Sequence, residues 1–239
     1  MTSPTLLNRL HYTADELACR FSNGKVELFT RLGKMVLPQG CWGHGPAHAE
    51  IEPTVYLTFD DGPDPHTTPA LLDLLEEQDL KATFFLVGKN CRKHPELVKR
   101  IHDGGHTLGN HTFHHLWLPG LPTGIINAEI VGTNKIIEDI TGTTPHVFRP
   151  PFGVMDHRAA RCLKENDMTP VYWGSAPEDW STPGSHRVVR RVMWKITDGS
   201  LIVLHEGEHV AEQTIEAASE IISRTRSLGY QFSKVKLRA

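Results

Sequence analysis

From Thr54 onward the chain alternates short β-prone runs with stretches patterned as helices, and this alternation constrains the fold more than any other feature. VYLTF (55–59) precedes a helical pattern near 67–77, ATFFLV (82–87) one near 95–103, and HTLGN (106–110) a long one near 125–141. The series continues with HVFR (146–149) before a helix at 156–165 and TPVYWG (169–174) before one at 186–197. SLIVLH (200–205) then precedes a helix at 211–227, and YQFS (230–233) closes the series. Such alternation predicts parallel strands joined by helical crossovers. About seven strands in 239 residues predict a closed or nearly closed (β/α) barrel, ahead of an open doubly wound sheet. No GxGxxG or P-loop pattern follows a strand, which argues against a nucleotide site.

The first fifty residues read differently. TADE (13–16) is a capping box opening a short helix to Arg20, and a Gly-, Pro- and His-dotted stretch, LPQGCWGHGPAHAEIEP, follows. The chain therefore divides into an N-terminal extension, 1–50, and a main domain, 51–239. Four scattered cysteines without a CxxC pair suit free buried thiols, with a Cys19–Cys41 bridge as the outside alternative. A net charge of −3 gives no basic field for nucleic acid, so a neutral or weakly charged substrate is expected. No apolar run approaches the ~18 residues of a membrane span. The opening residues show no secretory signal, so a chain starting naturally at Met1 is expected in the cytoplasm and a trimmed one outside it.

The unusual polar residues fall where strands end. Asp60 and Asp61 end the first strand in TFDDGP, His111 follows the third, Arg149 ends the fourth, Asp179 follows the fifth and His205 ends the sixth. In parallel β/α folds these strand ends share one rim, where sites are built. His111 and His115 stand four apart in HTFHH, so on a helical turn they share a face and grip one ion, with a carboxylate as third ligand. Such a set leaves coordination positions open for water and substrate. His114 offers another register, whereas His44 and His48 read as solvated loop residues. Arg149 in RPPFG either binds a substrate anion or pairs with a carboxylate. His205 reads as a core histidine or as a site residue, and Asp179 as an N-cap or as the group that orients His205.

Taken in order, TFDDGP, HTFHH, RPPFG, EDW and LIVLHEG resemble the five motifs of the polysaccharide deacetylase family, the NodB-homology proteins of carbohydrate esterase family 4. The resemblance spans about residues 54–235 and implies a distorted (β/α) barrel. It implies a divalent metal held by Asp61, His111 and His115, with Zn2+ first and Co2+, Ni2+ or Mn2+ as alternatives. It further implies Asp60 as general base, Arg149 as its counter-charge, His205 as the acid that protonates the leaving amine, and Asp179 as the partner of His205. The backbone N–H of Phe152 would stabilise the oxyanion, Trp180 would line the acetyl pocket, and Val203 would stand where an apolar pocket residue is usually Leu. Two further departures are Ala176, where an aspartate is usual, and Glu206, where Asp is common. The implied activity is removal of N-acetyl groups from an N-acetylglucosamine-containing poly- or oligosaccharide, of chitooligosaccharide or peptidoglycan type, by metal-activated water. The alternative is the same fold acting on another bond: a xylan O-acetyl ester, a formamide or a small cyclic amide.

Overall fold

A computed structural model describes residues 53–235. The capping box at 13–16, His44, His48, the Cys19–Cys41 alternative and the rest of the 1–50 extension lie outside the described residues. Within them, seven parallel strands form one curled sheet: β1 (Thr54–Asp60), β2 (Thr83–Leu86), β3 (Thr107–Asn110), β4 (Val147–Phe148), β5 (Thr169–Pro170), β6 (Leu201–His205) and β7 (Gln231–Ser233). The order is β5-β4-β3-β2-β1-β6, and β7 pairs with the first half of β1. Seven helices surround it: α1 (Thr68–Glu77), α2 (Gly88–Lys93), α3 (Pro95–Asp103), α4 (Thr123–Thr141), α5 (His157–Glu165), α6 (Ser185–Met193) and α7 (Ala211–Ser227).

All seven residues of β1 are buried, as a strand covered on both faces requires. Its alternate residues serve two cores. Val55, Leu57 and Phe59 pack outward with Phe84 and Leu86 against apolar residues of the helices, including Leu71 and Leu75 of α1 and Ala218 and Ile221 of α7. Tyr56 packs inside the curl with Phe85, Val147, Val171 and Leu201. Further along the inner face stand Thr58 and then Asp60, so the lining turns from apolar to polar towards the C-terminal strand ends. A third cluster beneath α4 and α5 gathers Leu118, Ile126, Ile130, Phe148, Cys162 and Leu163. Cys91 and Cys162 are free, buried thiols.

Helix ends follow local chemistry. Pro69 and Pro95 lie in the first turns of α1 and α3, where a missing N–H costs nothing, and the Asp156 side chain caps α5 through the N–H groups of Arg158 and Ala159. Two elements depart from the sequence expectation. The short helix α2 stands in a stretch that carried no helix signal. The predicted strand 169–174 shrinks to Thr169–Pro170, because the carbonyls of Val171 and Tyr172 accept from the buried Arg149 guanidinium instead of a neighbouring strand. The chain then crosses to the free side of β6, where Ser175 bridges Ile202 in parallel and closes part of the gap.

Candidate active site

The polar residues at the strand ends meet on one rim. β1 and β6 run in register with Asp60 opposite His205, and the Glu206 N–H donates to the Asp60 carbonyl, so the two groups are fixed relative to each other by backbone pairing. The next loop, 61–67, is stitched to the loop after β6. Thr67 Oγ1 accepts from the Gly207 N–H at 3.1 Å, and Thr68 Oγ1 donates to Glu206. A Cβ at Gly62 would meet the Glu206 carboxyl, so any larger residue here requires that side chain to shift. Glu206 is itself buried, and burial pushes its pKa up to about 8, helped by Asp64, Asp61 and Asp60 and opposed by Thr68. The longer side chain at the position where Asp is common therefore fills the space behind the aspartate pair.

Arg149 is fully buried and has four acceptors. Its guanidinium donates to Asp60 Oδ1 and Thr58 Oγ1, both at 2.7 Å, to Tyr172 O at 3.0 Å and to Val171 O at 3.3 Å. The guanidinium carbon also lies over two rings, that of Phe85 at 4.1 Å and that of Trp173 at 5.7 Å. Of its two sequence readings, pairing with a carboxylate is the one the geometry supports. With Oδ1 occupied, Asp60 turns Oδ2 towards His111, whose Nε2 is 4.0 Å away.

Asp61, His111 and His115 each bring a ligand atom to one spot, all within 4.8 Å of one another. His111 Nε2 lies 3.5 Å and His115 Nε2 3.2 Å from Asp61 Oδ1, a buried oxygen with no hydrogen-bond donor. The His111 Nδ1 sits 2.6 Å from the Arg149 carbonyl; donating there, it leaves Nε2 as a lone pair facing the trio. Burial and His111 lower the His115 pKa below its ordinary 6.5, against the pull of Asp61 and Asp60, so its imidazole stays neutral, the form that binds metal. A buried carboxylate oxygen without a donor, facing two imidazole nitrogens, fits a divalent ion.

The two histidines do not share a helical turn as their spacing suggested. Thr112 and His115 have positive φ angles, 65° and 59°, and the stretch is a loop. Asn110 Oδ1 accepts from the Thr112 N–H at 2.8 Å, and Thr112 Oγ1 from the His115 N–H at 3.0 Å. Glu129, a buried carboxylate of α4, takes the N–H groups of Phe113 and His114 and the ring of His114, which removes His114 from the ligand set. Sequence reading missed Glu129 and Asn110. The available signal was a charged residue on the otherwise apolar stripe Ile126, Glu129, Ile130.

On the β6 side, Asp179 is fully buried and uses both oxygens on His205, one for its N–H at 2.6 Å and one for Nδ1 at 2.8 Å. Burial would lower the His205 pKa, but Asp179, with Asp60 and Asp61 behind it, reverses the sign and raises it from 6.5 to about 9. The Trp180 ring stands edge-on to His205 at 5.1 Å and is exposed, as is Phe152, whose ring meets His115 at 4.8 Å. Val203, two residues before His205 on the same face of β6, is buried and donates its N–H to Ser175 O. Ala176 is buried on the loop that carries Asp179.

The family model for polysaccharide deacetylase matches residues 48–171. The chain belongs to that family. A peptidoglycan-N-acetylglucosamine deacetylase of Bacillus cereus is 34% identical over 201 residues, covering 78% of this chain and 94% of the relative. A chitooligosaccharide deacetylase of Sinorhizobium fredii is 32% identical over 190 residues, covering 74% of this chain and 88% of the relative. The crystal structure of a peptidoglycan N-acetylglucosamine deacetylase superposes with a TM-score of 0.77 at 31% identity, over 81% of this chain and 89% of the other. The curled sheet of parallel strands is thus the fold of the polysaccharide deacetylases. The family is metal-dependent, and Asp61, His111 and His115 form a group in this chain that could hold an ion. Among the described residues no helix is long and apolar enough to cross a membrane.

Proposed function

We propose that this polysaccharide deacetylase hydrolyses the N-acetyl amide of N-acetylglucosamine units in a poly- or oligosaccharide of chitooligosaccharide or peptidoglycan type. The observation that carries the reading is the convergence of three differently prepared carboxylates: Asp61 orphaned beside two imidazoles, Asp60 tied to Arg149, and Asp179 tied to His205. A divalent ion, zinc by preference for two imidazoles and one carboxylate, would be held by the first group and supplies Lewis acidity for the carbonyl and for water. Arg149 occupies one oxygen of Asp60, and the other is left to take a proton from the attacking water. His205 presents the nitrogen opposite its Asp179 contact to the departing amine. With a pKa of about 9 it carries its proton at neutral pH, as a general acid must. Water adds to the carbonyl carbon, the C–N bond breaks, and acetate and a free amine leave. Trp180 and Val203 would line the space for the methyl end of the acetyl group, and the Phe152 backbone N–H would donate to the carbonyl oxygen as it gains charge.

The protonated acid favours an amide over an ester, because an amine leaves only with a proton while an alkoxide leaves more readily. The test compares acetate release from β-1,4-linked N-acetylglucosamine oligomers with turnover of acetylated xylan, formamides and a small cyclic amide, each with and without a chelator. Chelator-sensitive acetate release from the oligomers is the expected result. Rapid turnover of a small amide with inert oligomers would transfer the same machinery to another substrate.

A further inference from the structure

One aromatic residue near the site has no role in the chemistry and no place in the core. Trp117 is 53% exposed, yet it is followed by Leu118, which is fully buried among Ile126, Ile130 and Phe148. Its loop is held further by the Leu121 N–H on Leu118 O at 3.1 Å and the Gly120 N–H on Asp156 Oδ2 at 3.3 Å. The indole is therefore carried on an anchored backbone and presented to solvent. It is not alone: Phe152 is 58% exposed, and its ring lies 5.9 Å from that of Trp117 and 4.8 Å from that of His115. Phe152 has a φ of 57°, a conformation bulky residues avoid, and the stiff Pro150–Pro151 pair before it holds the ring over the rim. Two ring contacts thus build a shelf from a metal-ligand histidine outward.

Exposed aromatic surface continuous with a catalytic rim suits a ligand contact, and neutral rings suit the apolar face of a pyranose better than any charged group. We propose that Trp117, backed by Phe152, is a sugar-stacking subsite that holds a ring neighbouring the one deacetylated and so makes the enzyme selective for oligomers over the single sugar. This rests on the deacetylase reading above. Trp117 is a specificity residue here, touching the substrate chain away from the reacting amide.

The test separates the two claims. Calorimetric titration of the turnover-blocked Asp60→Asn protein with the β-1,4-linked N-acetylglucosamine tetramer measures binding without chemistry. Adding Trp117→Ala should weaken the tetramer by about tenfold, and Trp117→Phe should retain most of the affinity. In the active enzyme, Trp117→Ala should lower the ratio of kcat/KM for the tetramer over the single sugar by a similar factor, mainly through KM. Equal tetramer affinity with Trp and Ala at this position, or a parent protein that does not bind the tetramer, overturns the subsite. Absence of acetate release from every N-acetylated sugar overturns the deacetylase reading instead, and the titration still decides the subsite.

Discussion

Replacing Arg149 with Met is the most demanding single perturbation of this structure. The guanidinium has no solvent contact and is the hydrogen-bond donor to Asp60 Oδ1, Thr58 Oγ1, Val171 O and Tyr172 O. Methionine fills much of the volume under Phe85 and Trp173 but leaves a carboxylate buried without its counter-charge and two carbonyls without donors. Removing one partner of a buried pair costs about 3–5 kcal/mol, and the lost hydrogen bonds are already contained in that figure. For a domain of this size that is a fall in Tm of about 6–20 °C. Urea unfolding of wild type, Arg149→Met, Asp60→Asn and the double variant measures both the loss and its origin. If the cost lies in the stranded charge, the double variant should be less destabilised than the sum of the singles by at least about 1 kcal/mol. A loss below about 1 kcal/mol in Arg149→Met, or strict additivity in the double variant, would refute the reasoning. Arg149→Lys should recover little, because an ammonium cannot reach four acceptors arranged around a planar fork.

Two further outcomes follow from the titrating groups around the rim. Asp179 is what turns the lowering effect of burial on His205 into a pKa of about 9, so Asp179→Asn should move the alkaline fall of kcat to lower pH by more than one unit; a pH–rate profile with an unmoved alkaline limb contradicts this. Glu206 is raised from 4.5 to about 8, so its contribution to stability is fully present below 4.5 and is lost as pH rises towards and through 8. Glu206→Gln should therefore flatten the pH dependence of urea stability between those values, and an unchanged slope would show that the carboxyl is not the group responsible.

How much of this was readable beforehand depends on what each feature rests on. Strand–helix alternation and burial on both faces are local properties, so the order of elements and the placement of Asp60, Arg149 and His205 at strand ends were legible in runs such as VYLTFDD and LIVLHEG. The ligand loop was legible in composition but not in shape. HTFHH has helical spacing, yet Asn110, Thr112 and Glu129 pull the backbone into two positive-φ turns. Those bonds join residues up to sixteen apart and leave no periodic trace. The shortened fifth strand has a similar cause, since its carbonyls answer a guanidinium from another strand end. Trp117 was equally silent, because exposure is decided by the burial of its neighbour Leu118 rather than by its own type.

The division of labour between adjacent aspartates is the central claim, and metal content measured on three proteins tests it most directly. After loading with zinc and desalting, wild type and Asp60→Asn should each retain about one ion per chain, Asp61→Asn should retain far less, and Asp60→Asn should nevertheless be inactive. A wild-type protein that holds no ion under any loading condition, or an Asp60→Asn protein that keeps near-normal turnover, would contradict it.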